Sequence, residues 1–292
     1  MNGSDALRRY SRHLLIPEIG LAGQERLAAA RALVVGAGGL GVPVLQYLVA
    51  AGVGRIGICD DDVVELSNLQ RQVLYDSGDL GKKKAAVAAE HLRAQNPQVA
   101  LDPLALRFDA GNARELVRLY DLVIDATDSF EARYLINDAA RLEGKPDIYA
   151  AIFRFEGQVS VFDQGGPCYR CLFPAPPPPG SVPSCAEGGV LGVLAGLVGT
   201  LQANEALKVL LGIGRPLLGR LLLIDALAPS FREVAFAGDP ECALHGARRT
   251  IFEVVAAPST ASEAVSLGEL ELEAAQLDAF LAREPRARVL DV

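Results

Sequence analysis

The stretch "ALVVGAGGLGVP", residues 32–43, decides the fold, because an apolar run leads directly into three spaced glycines. Gly36, Gly38 and Gly41 form the G-x-G-x-x-G pattern, with Gly39 inside it. This pattern is typical of a strand, a tight glycine turn and a helix whose N-terminus holds a phosphate group. The stretch therefore predicts a nucleotide-binding βαβ unit. It does not say which nucleotide is bound.

Strand-like and helix-like segments alternate on both sides of the glycine turn. This alternation predicts an α/β fold, with a Rossmann-like, mostly parallel sheet flanked by helices. N-terminal helices are expected over residues 4–30, and the proline-rich stretch 174–184 is expected to form an exposed crossover loop, since proline removes an amide donor. The expected strands are 32–36, 55–60, 99–108, 121–127, 146–153, 157–164 and 220–227, and the expected helices are 41–51, 82–96, 112–119 and 133–144.

Composition and charge exclude several classes of partner. The formal net charge is −8 and no block of basic residues occurs, so nucleic acid is not expected as a partner. The apolar stretch that begins at Gly188 ends in polar residues at helical spacing, which favours a buried helix over a membrane span. The N-terminus lacks the apolar segment of an export signal. We therefore expect a cytoplasmic protein whose five cysteines are reduced and available for metal or thiol chemistry.

Residues after the second predicted strand separate two nucleotide classes. Asp60 stands where an acid would hold the ribose of either NAD or ATP. Asn68, Arg71 and Gln72 follow, and Lys84 stands at a predicted helix start. A guanidinium and an ammonium directed at one crevice suit a triphosphate, whose charge must be neutralised before attack at the α-phosphorus. These residues favour ATP over NAD, although either cation could also be solvated surface charge.

Five segments together resemble the MoeB/ThiF family, relatives of the ubiquitin-activating enzymes that adenylate sulfur-carrier proteins. The resemblance covers roughly residues 7–246. It implies that the C-terminal Gly-Gly carboxylate of a ubiquitin-like carrier of the MoaD/ThiS type attacks ATP, releases pyrophosphate and is prepared for thiocarboxylation by a separate sulfur donor. Molybdopterin, thiamin and thiolated-tRNA pathways all use this step. The segments are "RYSRHLLIPEIGLAGQERL" (9–27), the glycine stretch, "SNLQRQVLY" (67–75), "DATDSFEARYLIN" (125–137) and "CYRCLFP" (168–174).

The resemblance also implies roles for individual residues. The four glycines, Asp60, Asn68, Arg71 and Lys84 match nucleotide ligands of the family. Asp128 matches the Mg²⁺ ligand, although an aspartate at this point could instead cap the following helix. Ser129 departs from the asparagine that is usual in the family. Arg12 matches an arginine that reaches ATP in the partner subunit, which implies a homodimer.

The remaining cysteines predict a structural zinc site. Cys168 and Cys171 form a C-x-x-C pair, and Cys242 and His245 repeat the spacing about seventy residues later, a Cys₃His set that zinc accepts. The family normally has C-x-x-C at the second pair. Cys185, on the crossover, matches a family cysteine that in some members is linked covalently to the carrier. Its catalytic role is left open.

The chain is expected to divide into three parts. Residues 1–256 form the adenylyltransferase domain, 257–266 a linker, and 267–292 an incomplete segment that resembles the start of a rhodanese-like domain. Three other functions are considered. They are an activator in a ubiquitin-like conjugation pathway with a thioester on Cys185, an NAD-dependent oxidoreductase, and a scaffold that does not catalyse.

Overall fold

An eight-stranded sheet forms the centre of the computed structural model, which describes residues 8–178 and 188–255. The spatial order of the strands is β3-β2-β1-β4-β5-β6-β7-β8. Strands β3 to β5 in this order are parallel, and the pairs from β5 to β8 are antiparallel. The strands are β1 Arg31–Val35, β2 Arg55–Cys59, β3 Ala100–Leu104, β4 Leu122–Asp125, β5 Asp147–Phe153, β6 Glu156–Phe162, β7 Arg220–Asp225 and β8 Ser230–Ala235.

Helices flank the sheet, as the alternating pattern predicts. Apolar side chains of the parallel strands are buried on both faces, so each face needs helices to cover it. The helices are α1 Ser11–Leu14, α2 Gly20–Ala29, α3 Gly41–Ala51, α4 Lys84–Gln95, α5 Ala113–Arg118, α6 Phe130–Glu143, α7 Tyr169–Leu172 and α8 Gly192–Leu211, with 3₁₀ turns at Leu66–Asn68 and Ser77–Asp79. The helix expected over 41–51 is observed with those bounds.

The N-terminal helices expected over 4–30 are observed as α1 and α2 within the described residues. They are separated by a break where Pro17 cannot donate a backbone hydrogen bond and Gly20 adopts a φ of +52°. One local prediction was wrong. The strand expected over 99–108 ends at Leu104, and the following residues turn toward the carboxyl end of the sheet. The linker, the rhodanese-like segment and Cys185 lie outside the described residues.

Helix α8 is the apolar stretch that the sequence predicts to be a buried helix rather than a membrane span. It packs against α3 at Gly199, where a Cβ would lie 2.5 Å from Pro43 Cγ and 2.6 Å from Leu40 O. Its polar end is bonded inside the fold, since Gln202 Nε2 donates to Asp125 O and Ile148 O. Within the residues described, no helix has the length and apolar character needed to cross a membrane.

Candidate active site

The glycine turn lies between β1 and α3, at the carboxyl ends of the parallel strands. Gly36 has a φ of +96°, a conformation that glycine adopts without strain. At Gly41 a Cβ would lie 1.9 Å from Gly36 O, so the turn closes only because both positions are glycine. Since β1 pairs with β2 on one side and β4 on the other, the turn occupies the switch point where α/β sheets bind ligands.

An open cleft of about 360 Å³ begins at this turn. Residues that lie far apart in the chain meet there because β1, β2 and β4 are parallel and the loops that follow them start at the same edge of the sheet. The predicted site residues in its wall are Gly36, Gly38, Gly39, Asp60, Asn68, Arg71, Gln72, Lys84 and Asp128. Gly41 lies outside the wall of the cleft and packs against Gly36 O within the turn.

Asp60 connects the end of β2 to the glycine turn. Its carboxylate accepts the Ala37 amide at 2.7 Å and the Asp62 amide at 2.9 Å. Burial raises the pKa of Asp60, and the Ala37 hydrogen bond and the charge of Lys84 act against that rise. Because a carboxylate has about four acceptor positions, it can still accept sugar hydroxyls beside the turn.

The two predicted cations approach the cleft from different elements. Lys84 is the first residue of α4, is 5% exposed, and places Nζ 2.9 Å from Asp62 Oδ2. Arg71 Nη1 donates to Ser67 O at 3.0 Å, and its aliphatic stem lies near Gly39. A triphosphate bound between them would replace exposed Asp62 as the anion facing Lys84.

Asn68 and Gln72 are both buried. The Asn68 side chain accepts the Glu65 amide at 3.2 Å, which closes the 3₁₀ turn before Arg71. Gln72 is 3% exposed, its amide lies beside Gly38, and its Oε1 has no hydrogen-bond partner among the described residues. Gln72 therefore has an acceptor left over at the glycine turn.

The structure decides which residue caps α6. The Ser129 hydroxyl accepts the Ala132 amide at 3.3 Å, so Ser129 is the N-cap. Asp128, one residue earlier, is exposed in the cleft wall. Its carboxylate is thus available to a cation at the N-terminus of α6, and the alternative role as a helix cap does not apply.

Arg12 does not lie in the cleft of its own chain. Its neighbour Tyr10 packs against Gly52, at the C-terminal end of α3, and His13 contacts Gln24, which donates to Ala51 O. The glycine turn is at the other end of this 11-residue helix, about 16 Å away at 1.5 Å per residue. Arg12 is exposed. The prediction that it acts in a second copy stays a prediction.

The four predicted zinc ligands lie together. Cys168 Sγ is 3.9 Å from Cys171 Sγ and 3.7 Å from Cys242 Sγ, and Cys171 Sγ is 3.2 Å from His245 Nε2. All four ligand atoms lie within 4.8 Å of one another. Tetrahedral zinc with sulfur ligands about 2.3 Å away places them roughly 3.8 Å apart, so this donor set fits a structural zinc ion.

Comparison with known proteins decides the family. A model of the ThiF family matches residues 10–244. The chain belongs to the ThiF family. Among the relatives of this ThiF family member, a sulfur carrier protein adenylyltransferase of Thermus thermophilus is 57% identical over 86% of this chain and 95% of its own length. The SAMP-activating enzyme E1 of Haloferax volcanii is 52% identical over 82% and 89%.

Other relatives of the ThiF family chain are longer or more distant. The adenylyltransferase and sulfurtransferase MOCS3 of Sus scrofa is 50% identical over 86% of this chain, which spans 55% of that protein. A crystal structure of E. coli MccB with MccA-N7isoASN matches with a TM-score of 0.74 at 23% identity, over 84% of this chain and 76% of the other. This likeness confirms the α/β fold.

Sequence reasoning missed a buried polar cluster beneath the cleft of this ThiF family chain. Asp125 at the end of β4, Asp147 at the start of β5 and Arg133 on α6 are 1%, 2% and 8% exposed. Burial raises the pKa of Asp125 to about 6, although Arg133 and Thr127 lower it. Burial, reinforced by Asp125, raises the pKa of Asp147 well above its usual range. The sequence contained one signal for this cluster. Arg133 lies in the first turn of α6, where a positive charge is unfavourable next to the helix dipole, so a contact from elsewhere in the fold is expected to compensate for it.

Replacing Asp147 with asparagine should stabilise the protein at alkaline pH. An acid with a raised folded-state pKa costs stability as pH rises from its unfolded value, near 4, through the folded value. Asparagine has a similar shape and carries no charge. We expect Asp147→Asn to raise Tm at pH 8 by a few degrees, corresponding to about 1–2 kcal/mol, and to change it little at pH 4.5. Thermal unfolding at the two pH values measures this, with exposed Glu90→Gln as control. A lower Tm at both pH values would contradict it.

Proposed function

We propose that this chain uses ATP to adenylate the C-terminal Gly-Gly carboxylate of a ubiquitin-like sulfur-carrier protein. One observation carries the proposal: a single cleft, in a chain of the ThiF family, is lined by the glycine turn, Arg71, Lys84 and Asp128. Relatives at 57% and 52% identity bear the names sulfur carrier protein adenylyltransferase and SAMP-activating enzyme E1. Cationic groups beside a phosphate-binding turn favour this chemistry over hydride transfer.

The reaction exchanges one bond at phosphorus for another. An oxygen of the carrier's carboxylate forms a bond to the α-phosphorus of ATP. The bond from this phosphorus to the bridging oxygen breaks, and the electron pair leaves with pyrophosphate. Arg71 and Lys84 would stabilise charge on the phosphates in the transition state. Asp60 would hold the ribose, and the glycine turn would let the phosphates approach the backbone.

A magnesium ion would be held by Asp128. Mg²⁺ prefers hard oxygen ligands, usually one or two carboxylates together with substrate phosphates and water. The exposed Asp128 carboxylate faces the cleft from the end of β4, on the opposite side of the turn from Lys84. The ion would supply charge neutralisation at the phosphates.

Zinc in the cysteine–histidine cluster would be structural. Four protein ligands leave no open coordination position for substrate water. The ion would join the turn that carries Cys168 and Cys171 to the segment that carries Cys242 and His245, so it would hold the described C-terminal segment against α6 and α7.

The complete site would require two copies of the chain and a separate sulfur donor. Arg12 lies at the far end of α3 from its own glycine turn. If it acts on ATP as the resemblance implies, it acts in the cleft of a second copy. The sulfur that replaces AMP would come from another protein, and Cys185 remains open as an acceptor of the activated carrier.

Mixing two inactive variants should restore activity if the homodimer shares Arg12. We expect Arg12→Ala and Asp128→Ala each to be inactive. In a mixed dimer, one of the two clefts has both an intact Asp128 and an intact Arg12 from the other chain. Random re-pairing of equal amounts makes about half of the dimers mixed, so about a quarter of wild-type activity should return. Exchange activity measured after co-refolding tests this. No recovery in a verified mixed dimer would place Arg12 outside the site.

Carrier-dependent ATP–pyrophosphate exchange tests the proposed function. Purified protein is incubated with ATP, labelled pyrophosphate and a set of carriers that end in Gly-Gly. Exchange with one carrier, and none with the same carrier lacking its last two glycines, is the expected result. ATP binding without exchange for any carrier would instead favour a scaffold, and nicotinamide binding an oxidoreductase.

A second candidate is an activator of ubiquitin-like conjugation. The name of the Haloferax volcanii relative, an E1, favours it. This function needs the same adenylation step, followed by transfer of the acyl group to Cys185. A carrier thioester that is lost in Cys185→Ser and passes to a second protein would separate the two.

A further inference from the structure

Arg133 stands in the cleft wall on the β4–β5 side of the nucleotide-binding turn. It lies in the first turn of α6, four residues after Ser129, and is 8% exposed. The nearby lining residues are Thr127 and Asp128 after β4, Ile152 at the end of β5, and Val190. Gly36 and Asp60 belong to the loops after β1 and β2, and Lys84 begins α4. Arg133 therefore borders the cleft on the opposite side of the turn from Lys84.

The hydrogen-bonding groups of Arg133 are incompletely satisfied. A guanidinium has five N–H donors. Its Nη2 donates to Thr127 O at the long distance of 3.5 Å, and the Tyr169 hydroxyl also contacts it. Its Nε has no hydrogen-bond partner among the described residues. The group is otherwise held by ring faces, 5.1 Å from the centroid of Phe130 and 5.9 Å from that of Tyr149.

The charge of Arg133 is also incompletely balanced by its surroundings. Asp125 is the carboxylate that acts on it, and one Asp125 oxygen already accepts the Thr127 amide and hydroxyl at 3.1 and 2.7 Å. Other cations of the cleft differ, because Lys84 pairs with Asp62 at 2.9 Å and Arg71 lies on the turn side.

The geometry points to a binding role. We propose that the Arg133 guanidinium receives the C-terminal carboxylate of the carrier protein and holds it for attack on the α-phosphorus. The planar fork of a guanidinium matches a carboxylate, and such charge-assisted bonds are strong when buried. Rings of Phe130 and Tyr149 fix the plane of the fork before the carrier arrives, which reduces the entropy lost on binding. This inference rests on the proposed function and names the residue that recognises its second substrate.

A carrier with a C-terminal carboxamide tests the proposal. Titration calorimetry without ATP measures the affinity of wild type and of Arg133→Met for the carboxylate form and for the carboxamide form of the carrier. Wild type should prefer the carboxylate by roughly ten- to a hundredfold. Arg133→Met should lose this preference, while its affinity for ATP stays within about twofold of wild type.

Arg107→Met is the matched control, since it removes an arginine from the wall of the same cleft, where Arg107 pairs with Glu131 at 3.3 Å. It should keep the carboxylate preference. Arg133→Lys keeps the charge and provides a second, milder variant should Arg133→Met not fold; it should retain part of the preference.

Three results would overturn the proposal. The first is an Arg133→Met or Arg133→Lys protein with an unchanged carboxylate preference. The second is an equal loss of affinity for both carrier forms, which a merely structural arginine would give. The third is a loss confined to ATP affinity, which would make Arg133 a phosphate ligand. Failure of wild type to bind or exchange with any carrier would instead remove the proposed function itself, and that result is read before any variant is compared.

Discussion

Replacing Asp128 with alanine should abolish carrier-dependent ATP–pyrophosphate exchange and leave the fold intact. The carboxylate is exposed in the cleft wall, so its removal leaves no cavity and no buried orphan group. The loss would be chemical, because the proposed Mg²⁺ would lose its protein ligand. We expect exchange to fall by on the order of 10²–10³-fold or more. The measurement is initial exchange rate at saturating ATP and carrier, over a range of Mg²⁺ concentrations.

Ser129→Ala is the matched control for Asp128→Ala. Ser129 caps α6, so its loss should lower the free energy of unfolding by about 1 kcal/mol and reduce exchange only a few-fold. Asp128→Ala should show the reverse pattern, with wild-type unfolding and no exchange. If Asp128→Ala kept more than a tenth of wild-type exchange, or if it destabilised the protein as Ser129→Ala does, the assignment of Asp128 to magnesium would be wrong.

Loss of one zinc ligand should have the largest effect on stability. Cys168, Cys171 and Cys242 are buried, and the cluster joins segments 74 residues apart. The proposed zinc ion would join these sulfurs to the segment after β8, and a variant that cannot bind it would lose that link. We expect Cys171→Ser to cost at least about 4 kcal/mol of unfolding free energy, which lowers Tm by roughly 10 °C for a domain of this size. Elemental analysis should give one zinc per wild-type chain and much less in the variant.

Three further variants separate metal binding from packing. Cys59 is buried in β2, outside the cluster, and donates to Leu106 O. Cys59→Ser should destabilise modestly and keep the full zinc content. His245→Cys creates a four-cysteine set and should retain zinc, whereas His245→Ala should lose it. A wild-type protein that contains no zinc, and whose Tm does not respond to a strong chelator, would show that the cluster is four reduced side chains.

Local patterns in the sequence predicted the parallel half of the molecule well. The glycine turn, the Asp60 position and the start of α4 at Lys84 follow from short motifs whose geometry is set by neighbouring residues. The parallel strands β1, β2 and β4 were also easy to predict, because they are buried and their apolar runs are continuous. For this reason the amino-acid sequence alone was enough to place the cleft residues after β1, β2 and β4 together.

Features that depend on distant contacts were harder to predict. All six residues of β8 are exposed, so the strand lacks the apolar alternation that would identify it. The buried cluster of Asp125, Arg133 and Asp147 comes from β4, α6 and β5, and no sequence motif predicts that these three side chains lie close together. Arg133 in particular reads as an ordinary surface charge on a helix. Its burial arises from Phe130, Tyr149 and Tyr169, which come from three separate elements.

If Arg12 acts in the cleft of a second copy, as proposed, the activity of the protein depends on its dilution. A site that borrows a guanidinium from a second copy exists only while the two copies are associated. Specific activity would then fall as the protein is diluted below the dissociation constant of the pair, and in that range total output would rise with roughly the square of protein abundance. The expression level would therefore change the specific activity of the protein as well as its amount.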